Sequence, residues 1–241
     1  MKQKKNIKQK SKVTQQLDSL AKISSAIASN QYLKEILHLI VTVTAEMMNS
    51  KICSIMLLDT NKNELIIEAT QSLSERYIKK GNIKIGQSIS GRALELARPI
   101  KVVDVRSDGN YQFPQIARQE GIVSMLSVPM LVRGKPIGVI NSYTEKEHDF
   151  TDDEMKVLQA VANQAAIAID NTKLMQETMA ARNALETRKL VERAKGILMK
   201  ENRVDEDAAY RLIHKKSMDT RKSMKEIAEA ILMSHEIRKE L

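Results

Sequence analysis

Residues 124–144, SMLSVPMLVRGKPIGVINSYT, decide how the middle of the chain folds. Two apolar, β-branched runs, SMLSVPMLV and KPIGVINSYT, meet at Arg133-Gly134-Lys135, a hairpin turn by composition. Working outward, KICSIMLLD (51–59), ELIIEAT (64–70) and KVVDV (101–105) read as further strands, with Asp59-Thr60-Asn61-Lys62-Asn63 as a second hairpin turn. Between them SISGRALELAR (88–98) predicts a short helix, its start marked by Ser88 and Ser90 and its end placed before Pro99. Upstream, Leu17, Leu20, Ile23 and Ile27, then Leu33, Ile36, Leu37, Ile40, Val43 and Met47, recur at helical spacing, as two helices or one broken near Ser29-Asn30. The expectation is an α+β fold, an antiparallel sheet flanked by helices.

From Thr151 the pattern changes. FTDDE supplies a helix start, Thr151 as N-cap and Glu154 as its capping-box partner, and no Gly or Pro follows until Gly196. Leu158, Val161, Ala165, Ala168, Thr172, Met175 and Met179 alternate three and four apart, as a two-stranded seam requires. Past Met179 that register runs onto Arg182 and Glu186, and the next seam, Leu190, Ala194 and Ile197, is shifted by about one residue. A linking helix over 151–199, roughly 65 Å at 1.5 Å per residue, is too long for one small domain to bury, so a homodimer through it is expected. The alternative is that its first half only covers the sheet and its second half is a separate helix. Three short amphipathic stretches end the chain: VERAKGILMKEN, then EDAAYRLIHKKSMD with Asp205 as N-cap, then MKEIAEAILMSHE with a Ser223/Glu226 capping box. Three such helices can share one small core, an all-α three-helix bundle.

Composition narrows the classes of function. The 241 residues are 42% hydrophobic and 29% charged, the balance of a globular chain of about two domains. No continuous apolar stretch follows the basic start MKQKKNIKQKSKV, so neither a signal peptide nor a membrane span is read, and a single cysteine, Cys53, fits the reducing cytoplasm. The net charge of +9 lies at the ends: +6 over 1–16, −1 over 17–179 and +4 over 180–241. A basic arm and a basic terminal segment are the electrostatic footprint of a nucleic-acid binder, although solubility alone explains them too. Aromatic residues are 3% with no Trp, which weighs against rows of stacking platforms for single strands.

Two resemblances cover most of the chain. SIMLLD (54–59), SISGRALELARPIKVVDV (88–105), GIVSMLSVPMLVRGKPIGVIN (121–141) and FTDDEMKVLQAVANQAAIAIDN (150–171) resemble, in order and spacing, the GAF family of small-molecule sensor domains. LVERAKGILMKENRVDEDAAYRLIHKKSMD (190–219) and KEIAEAIL (225–232) resemble the ANTAR family of RNA-binding antitermination modules. The organisation expected is a disordered basic arm over 1–16, a GAF-like sensor over 17–175, the helix over 151–199 overlapping both domains, and an ANTAR module over 180–238. The resemblance implies a regulator that binds paired stem-loops in leader transcripts and lets transcription pass a terminator. Where other ANTAR proteins carry a phosphorylated receiver, this one carries the GAF-like domain, so a small molecule or protein partner is the expected input.

RNA loops expose phosphates and splayed bases, and a binder needs cations, stackable rings and close backbone. The terminal segment offers Arg188, Arg193 and Lys195 on its first helix, Arg211, Lys215 and Lys216 on its second, and the Tyr210 ring. Arg211 and Lys215 stand four apart and leave one helix face. Gly196 costs a helix about 1 kcal/mol relative to Ala, which either close RNA approach or tight contact with another helix would offset. Tyr210 is open between stacking platform and core. In the sensor region a pocket is expected between the sheet and the 88–111 segment, with Ser90, Gly91, Asp104, Tyr111 and Asn141 as candidate ligand residues. Backbone N–H groups at Ser90-Gly91-Arg92 suit an anion, and ordinary capping accounts for the same residues. Cyclic-nucleotide-binding GAF relatives carry an Asn-Lys…Phe…Asp-Glu signature; here Asn141 is followed by Ser142, with Lys146, Phe150 and Asp153-Glu154 out of step, which fits fold architecture instead.

Enzymatic readings find little support. His38, His148, His214 and His235 stand isolated, without the spacing of a metal cluster, and one cysteine excludes a CxxC centre. No catalytic group, metal or cofactor is expected. A sensor-linked DNA-binding regulator is the alternative, disfavoured because the join SMDTRKSM lacks a Gly-type tight turn and KEIAEAILM offers few donors for base edges. A sensor acting only through protein partners is the third reading.

Overall fold

The computed structural model describes residues 14, 16–25, 27, 33–71 and 74–240. Most of the arm expected over 1–16, and the helix break expected at Ser29-Asn30, lie outside them. The chain divides into two compact units, Met1–Thr172 and Lys173–Leu241.

In the first unit, residues 16–25 are helical, followed by helix α1 (Leu33–Met48), then strands β1 (Ile52–Asp59) and β2 (Glu64–Thr70). Short elements follow: α2 (Glu75–Ile78), β3 (Ile83–Lys84), α3 (Ser88–Leu96), β4 (Ile100–Val102) and α4 (Pro114–Glu120). The hairpin β5 (Ser124–Val132) and β6 (Lys135–Thr144) precedes helix α5 (Asp152–Asn202). The six strands form one antiparallel sheet in the order β3-β2-β1-β6-β5-β4.

Both expected hairpins are present, each closed by turn chemistry the sequence displays. Asp59 pairs with Glu64, and its carboxylate accepts the N–H groups of Asn61 and Lys62 at 2.9 and 3.2 Å. Val132 pairs with Lys135 across Arg133-Gly134, whose φ angles of 50° and 77° match the twist of flanking strands. KVVDV is strand only to Val102, because the Asp104 carboxylate takes the Arg106 N–H at 2.9 Å and turns the chain. Elements α2, β3 and α4, of four, two and seven residues, are too short for periodicity to reveal.

The sheet is buried on both faces, so its strands read as near-continuous apolar runs. On one face Cys53, Ile55, Leu126, Val128 and Ile140 pack with Ile36, Leu37 and Ile40 of α1 and Leu158, Val161 and Ala165 of α5. Each Leu, Ile or Val among these contributes roughly 1.5–3 kcal/mol by leaving water. The other face carries Ile52, Met56, Met125, Val139 and Tyr143 under α2, α3 and α4.

Thr151 and Glu154 form the expected capping box, with Glu154 Oε2 accepting the Thr151 N–H at 2.9 Å and Thr151 Oγ1 accepting the Glu154 N–H at 3.3 Å. Helix α5 runs unbroken for 51 residues, about 75 Å, straight past Gly196. The expected seam is corrected in its first half: Leu158, Val161, Ala165 and Ala168 are buried in the unit's own core, and only from Met175 is it free. Residues 173–186 are exposed all round.

The second unit combines the C-terminal part of α5 with α6 (Glu206–Thr220) and α7 (Met224–Glu240). Val191, Ala194, Ile213, Ile227 and Ala228 form its core, with Leu190, Leu198, Met224 and Ile231 around it. Asp205 caps α6 by accepting the Ala208 N–H at 2.7 Å, and Ser223 with Glu226 caps α7. The α6–α7 turn needs no glycine because Arg221 itself takes the left-handed conformation at φ 54°.

Candidate functional site

The cations of the second unit differ in whether a carboxylate already holds them. Arg188, Arg211, Lys215 and Lys216 are exposed and have no ion-pair partner among the described residues. Arg193 approaches Glu236 only at 3.9 Å, with both side chains largely in water. On α6, Ala209 and Ile213 face the core, which turns the 210/214 and 211/215 stripes outward. Tyr210, 48% exposed, stacks on His214 with ring centroids 6.2 Å apart and planes at 19°. The structure therefore brings together one aromatic pair and two free cations, Arg211 and Lys215, on a single helix face. Tyr210 belongs to that surface and not to the core. Lys216 lies on the neighbouring stripe, in a shallow groove with Leu198, Leu212 and Ile231.

Lys195 is placed differently. It is 7% exposed, and its ammonium donates to Glu206 Oε1 at 2.6 Å and Glu192 Oε1 at 2.9 Å. Those hydrogen bonds, Glu206 first, raise its pKa and lower that of Glu206. The ammonium thus ties α5 to the first turn of α6, one turn before Tyr210. Gly196, next in sequence, has nothing within 4 Å of where a Cβ would stand. Tight helix contact, one of the two accounts of this glycine, is absent there. His235, half-buried, binds Glu201 at 2.7 Å.

In the first unit the candidate ligand residues separate. Ser90 does not cap α3: the cap residue is Gln87, without a side-chain bond, and Ser90 Oγ donates to Asn141 Oδ1 at 3.1 Å. Gly91 is required by packing, since a Cβ there would stand 2.3 Å from the Lys84 carbonyl oxygen. Asp104 is bound to Arg106 by two side-chain bonds of 2.8 and 2.6 Å, which hold its carboxyl down at about 2. Asn141 is fully buried, donating to Ser54 Oγ at 3.5 Å, and Ser54 in turn bonds Tyr77 Oη at 2.9 Å. Tyr111 is 6% exposed, and its hydroxyl, which has Tyr143 as its nearest polar neighbour in the cluster, makes no well-formed hydrogen bond among the described residues. Ser90 and Asn141 thus meet on the α3-covered face of the sheet and Tyr111 packs in the cluster of Tyr77 and Tyr143, while Gly91 and Asp104 serve local structure. Lys80, which sequence reasoning passed over, is 92% buried beside them, its amine 4.0 Å from the Tyr77 ring centre. Nothing in YIKK distinguishes it from exposed Lys79.

His148 Nε2 contacts Glu154 at 2.9 Å, and Asp149 pairs with Lys101 at 2.7 Å, so both serve the start of α5. Among the described residues no three His, Cys, Asp or Glu side chains converge as metal ligands would. No helix among them is long and apolar enough to cross a membrane.

Comparison with known proteins matches two stretches of the chain to two families. The model of the GAF domain matches residues 31–170, and that of the ANTAR domain matches residues 179–232. The transcriptional regulatory protein PdtaR of Mycobacterium tuberculosis is 32% identical over 173 residues, 66% of this chain and 82% of that protein. A phosphoenolpyruvate-dependent phosphotransferase system protein of Escherichia coli is 24% identical over 158 residues, 66% of this chain. The chain spans only 21% of that protein, about a fifth of its length. Among solved structures, the GAF domain of a phosphoenolpyruvate-protein phosphotransferase from Coxiella burnetii superposes with a TM-score of 0.62 at 22% identity, covering 68% of this chain and 98% of that one.

Proposed function

Since the chain belongs to the GAF family through residues 31–170 and continues into an ANTAR domain at 179–232, the pairing of a sensor-linked antitermination regulator, we propose that its second unit binds stem-loop leader RNA. The single observation carrying this reading is the α6 face on which the Tyr210–His214 stack lies beside the unpaired Arg211 and Lys215. A stacked pair with one exposed ring accepts a splayed loop base, and the adjacent cations meet the phosphates on either side of it. Arg188, on the preceding helix, adds a further free cation. Lys195 works indirectly, its two carboxylate bonds positioning the first turn of α6. Gly196 keeps the α5 backbone open to close approach, the account left once helix contact is set aside.

Two hairpins require two such heads. In this reading the chain acts as a homodimer, paired through the apolar residues that α5 leaves in water at Leu174, Met175, Met179 and Leu185. A signal at the first unit would change that pairing or its register and so reset the spacing of the heads. No catalysis is assigned to the chain.

Gel-shift titration with a two-hairpin leader RNA, run at two salt concentrations, tests the reading. Intact loops are expected to bind more tightly than scrambled loops or duplex DNA, with affinity falling as salt rises. Tyr210→Ala should cost about 1–3 kcal/mol, the range for loss of one base stack. Lys215→Ala should reduce the salt slope by about 1. Gly196→Ala should stabilise the unit by about 1 kcal/mol and yet weaken RNA binding. Binding indifferent to loop sequence and salt sinks the proposal.

A further inference from the structure

On the second unit, Lys189, Arg193, Gly196 and Lys200 follow one another along α5 at intervals of four, three and four residues. That spacing sets them on one helix face about 16 Å long. The core side of this part of α5 is carried by Val191, Ala194 and Leu198, so the face looks away from the bundle interior. Its three cations are exposed. Lys189 and Lys200 have no ion-pair partner among the described residues, and Arg193 meets Glu236 only at 3.9 Å.

At Gly196 the same face borders a groove of about 340 Å³ between α5 and α7. Arg193, Lys200, Lys239 and His235 line it against one carboxylate, Glu236, and Ile197 and Leu232 add an apolar lining. His235 is already held by Glu201 at 2.7 Å, which leaves Arg193, Lys200 and Lys239 as the cations that can meet an anion. Helix α6 contributes no lining residue, so this surface is separate from the one that carries Tyr210.

Gly196 is the second observation. A glycine inside a helix costs stability relative to alanine, and packing gives no reason for it here, since nothing stands within 4 Å of where a Cβ would be. Its effect is to leave helix backbone bare at the edge of the groove, between two free cations, where something from outside the unit can come close. The charges define what that is. They are strung along the helix and do not converge on one point, so a small anion would meet one of them while a chain of regularly spaced anions meets them all. No Asn, Gln, Ser, Thr, Tyr or Phe lines the groove to read or stack a base.

We propose that this face of α5 and the adjoining α7 groove hold the phosphodiester backbone of the leader RNA without reading its bases, as a second contact apart from the α6 face. Lys189, Arg193, Lys200 and Lys239 pair with phosphates, and Gly196 lets the strand lie against the helix. The inference rests on the RNA reading above and deepens it, giving specificity to α6 and positioning to this surface.

Gel shifts of the full-length protein test it, using a two-hairpin leader RNA and the same RNA with scrambled loops, each over a range of salt concentrations. Lys200→Gln/Lys239→Gln is expected to weaken both RNAs by the same factor and to lower the salt slope by about 2, one for each phosphate contact removed. Gly196→Leu, which keeps every charge but fills the edge of the groove, should likewise weaken both RNAs equally. Tyr210→Ala should instead weaken the intact loops alone. Lys62→Gln/Lys135→Gln removes two exposed lysines from the first unit and should change neither affinity nor slope, which separates a local contact from net charge. All the exchanged lysines are exposed, and an unfolding midpoint equal to that of the wild type checks that the variants fold. The inference is overturned if Lys200→Gln/Lys239→Gln binds as the wild type does, if its loss is confined to intact loops, or if the first-unit pair loses as much. A wild type that binds neither RNA removes the RNA reading and this inference with it, so the two failures are told apart.

Discussion

At the scale of single residues, two buried lysines show how context assigns a role. Lys195 is buried and answered by Glu192 and Glu206, so it holds helices together. Lys80 is buried and meets no carboxylate among the described residues, which makes it a cost to the fold when charged. The pH dependence follows from the sign of its shift. Its pKa of about 7 in the fold lies below the unfolded value near 10.4, so between those values the unfolded chain holds a proton that the fold does not. Stability contributed by this site therefore rises with pH across that window and is lowest below about pH 7, where the buried amine is charged. Lys80→Met should gain about 1 kcal/mol or more over the wild type near pH 6, and the gap should close toward pH 10 in paired denaturant titrations. A gap independent of pH would mean that packing, not charge, sets the difference. Neither lysine's role is visible in sequence, because partners supplied by Glu206 or by Tyr77 and Tyr143 depend on how separate elements meet.

At the scale of elements, α5 does three jobs in succession. Its first turns bury Leu158, Val161 and Ala165 against the sheet, its last turns bury Val191 and Ala194 in the terminal bundle, and the stretch 173–186 between them is exposed, with Glu186 at its end paired to Lys225 at 2.9 Å. An isolated helix of that length is marginal in water, and in the proposed homodimer its exposed Leu174, Met175, Met179 and Leu185 would meet a second helix. Met175→Glu combined with Met179→Glu should shift sedimentation from dimer to monomer at micromolar concentration while leaving both folded units intact. A wild-type chain that sediments as monomer with and without RNA removes the dimer from the proposal. Heptad spacing alone could not locate this stretch, because a helix lying on a sheet and a helix lying on its copy share the same three-four repeat. Small residues such as Ala165 and Ala168 fit either partner, and only the position of the sheet decided between them.

At the scale of the whole molecule, the division at Thr172 and Lys173 means that two cores are joined by one exposed stretch of helix. Limited trypsin digestion of the Met175→Glu/Met179→Glu variant should cut first at Lys173 or Arg182 and leave two resistant fragments, one for each unit. Early cleavage inside the sheet would show that the first core does not stand alone. The amino-acid sequence by itself determined the antiparallel sheet, the two hairpins, the capping boxes at Thr151 and Ser223, the Asp205 cap and the order of a sensor-like and a three-helix region. These are local: turn residues, caps and apolar period act within a few positions, and their chemistry is written in adjacent letters. Only the tertiary structure decided that Tyr210 faces water, that Gly196 has open space beside it, that Ser90 serves Asn141 instead of its own helix, and that Lys80 is enclosed by aromatic rings. Burial and unmet hydrogen bonds are properties of distances between remote segments, and no local pattern encodes them.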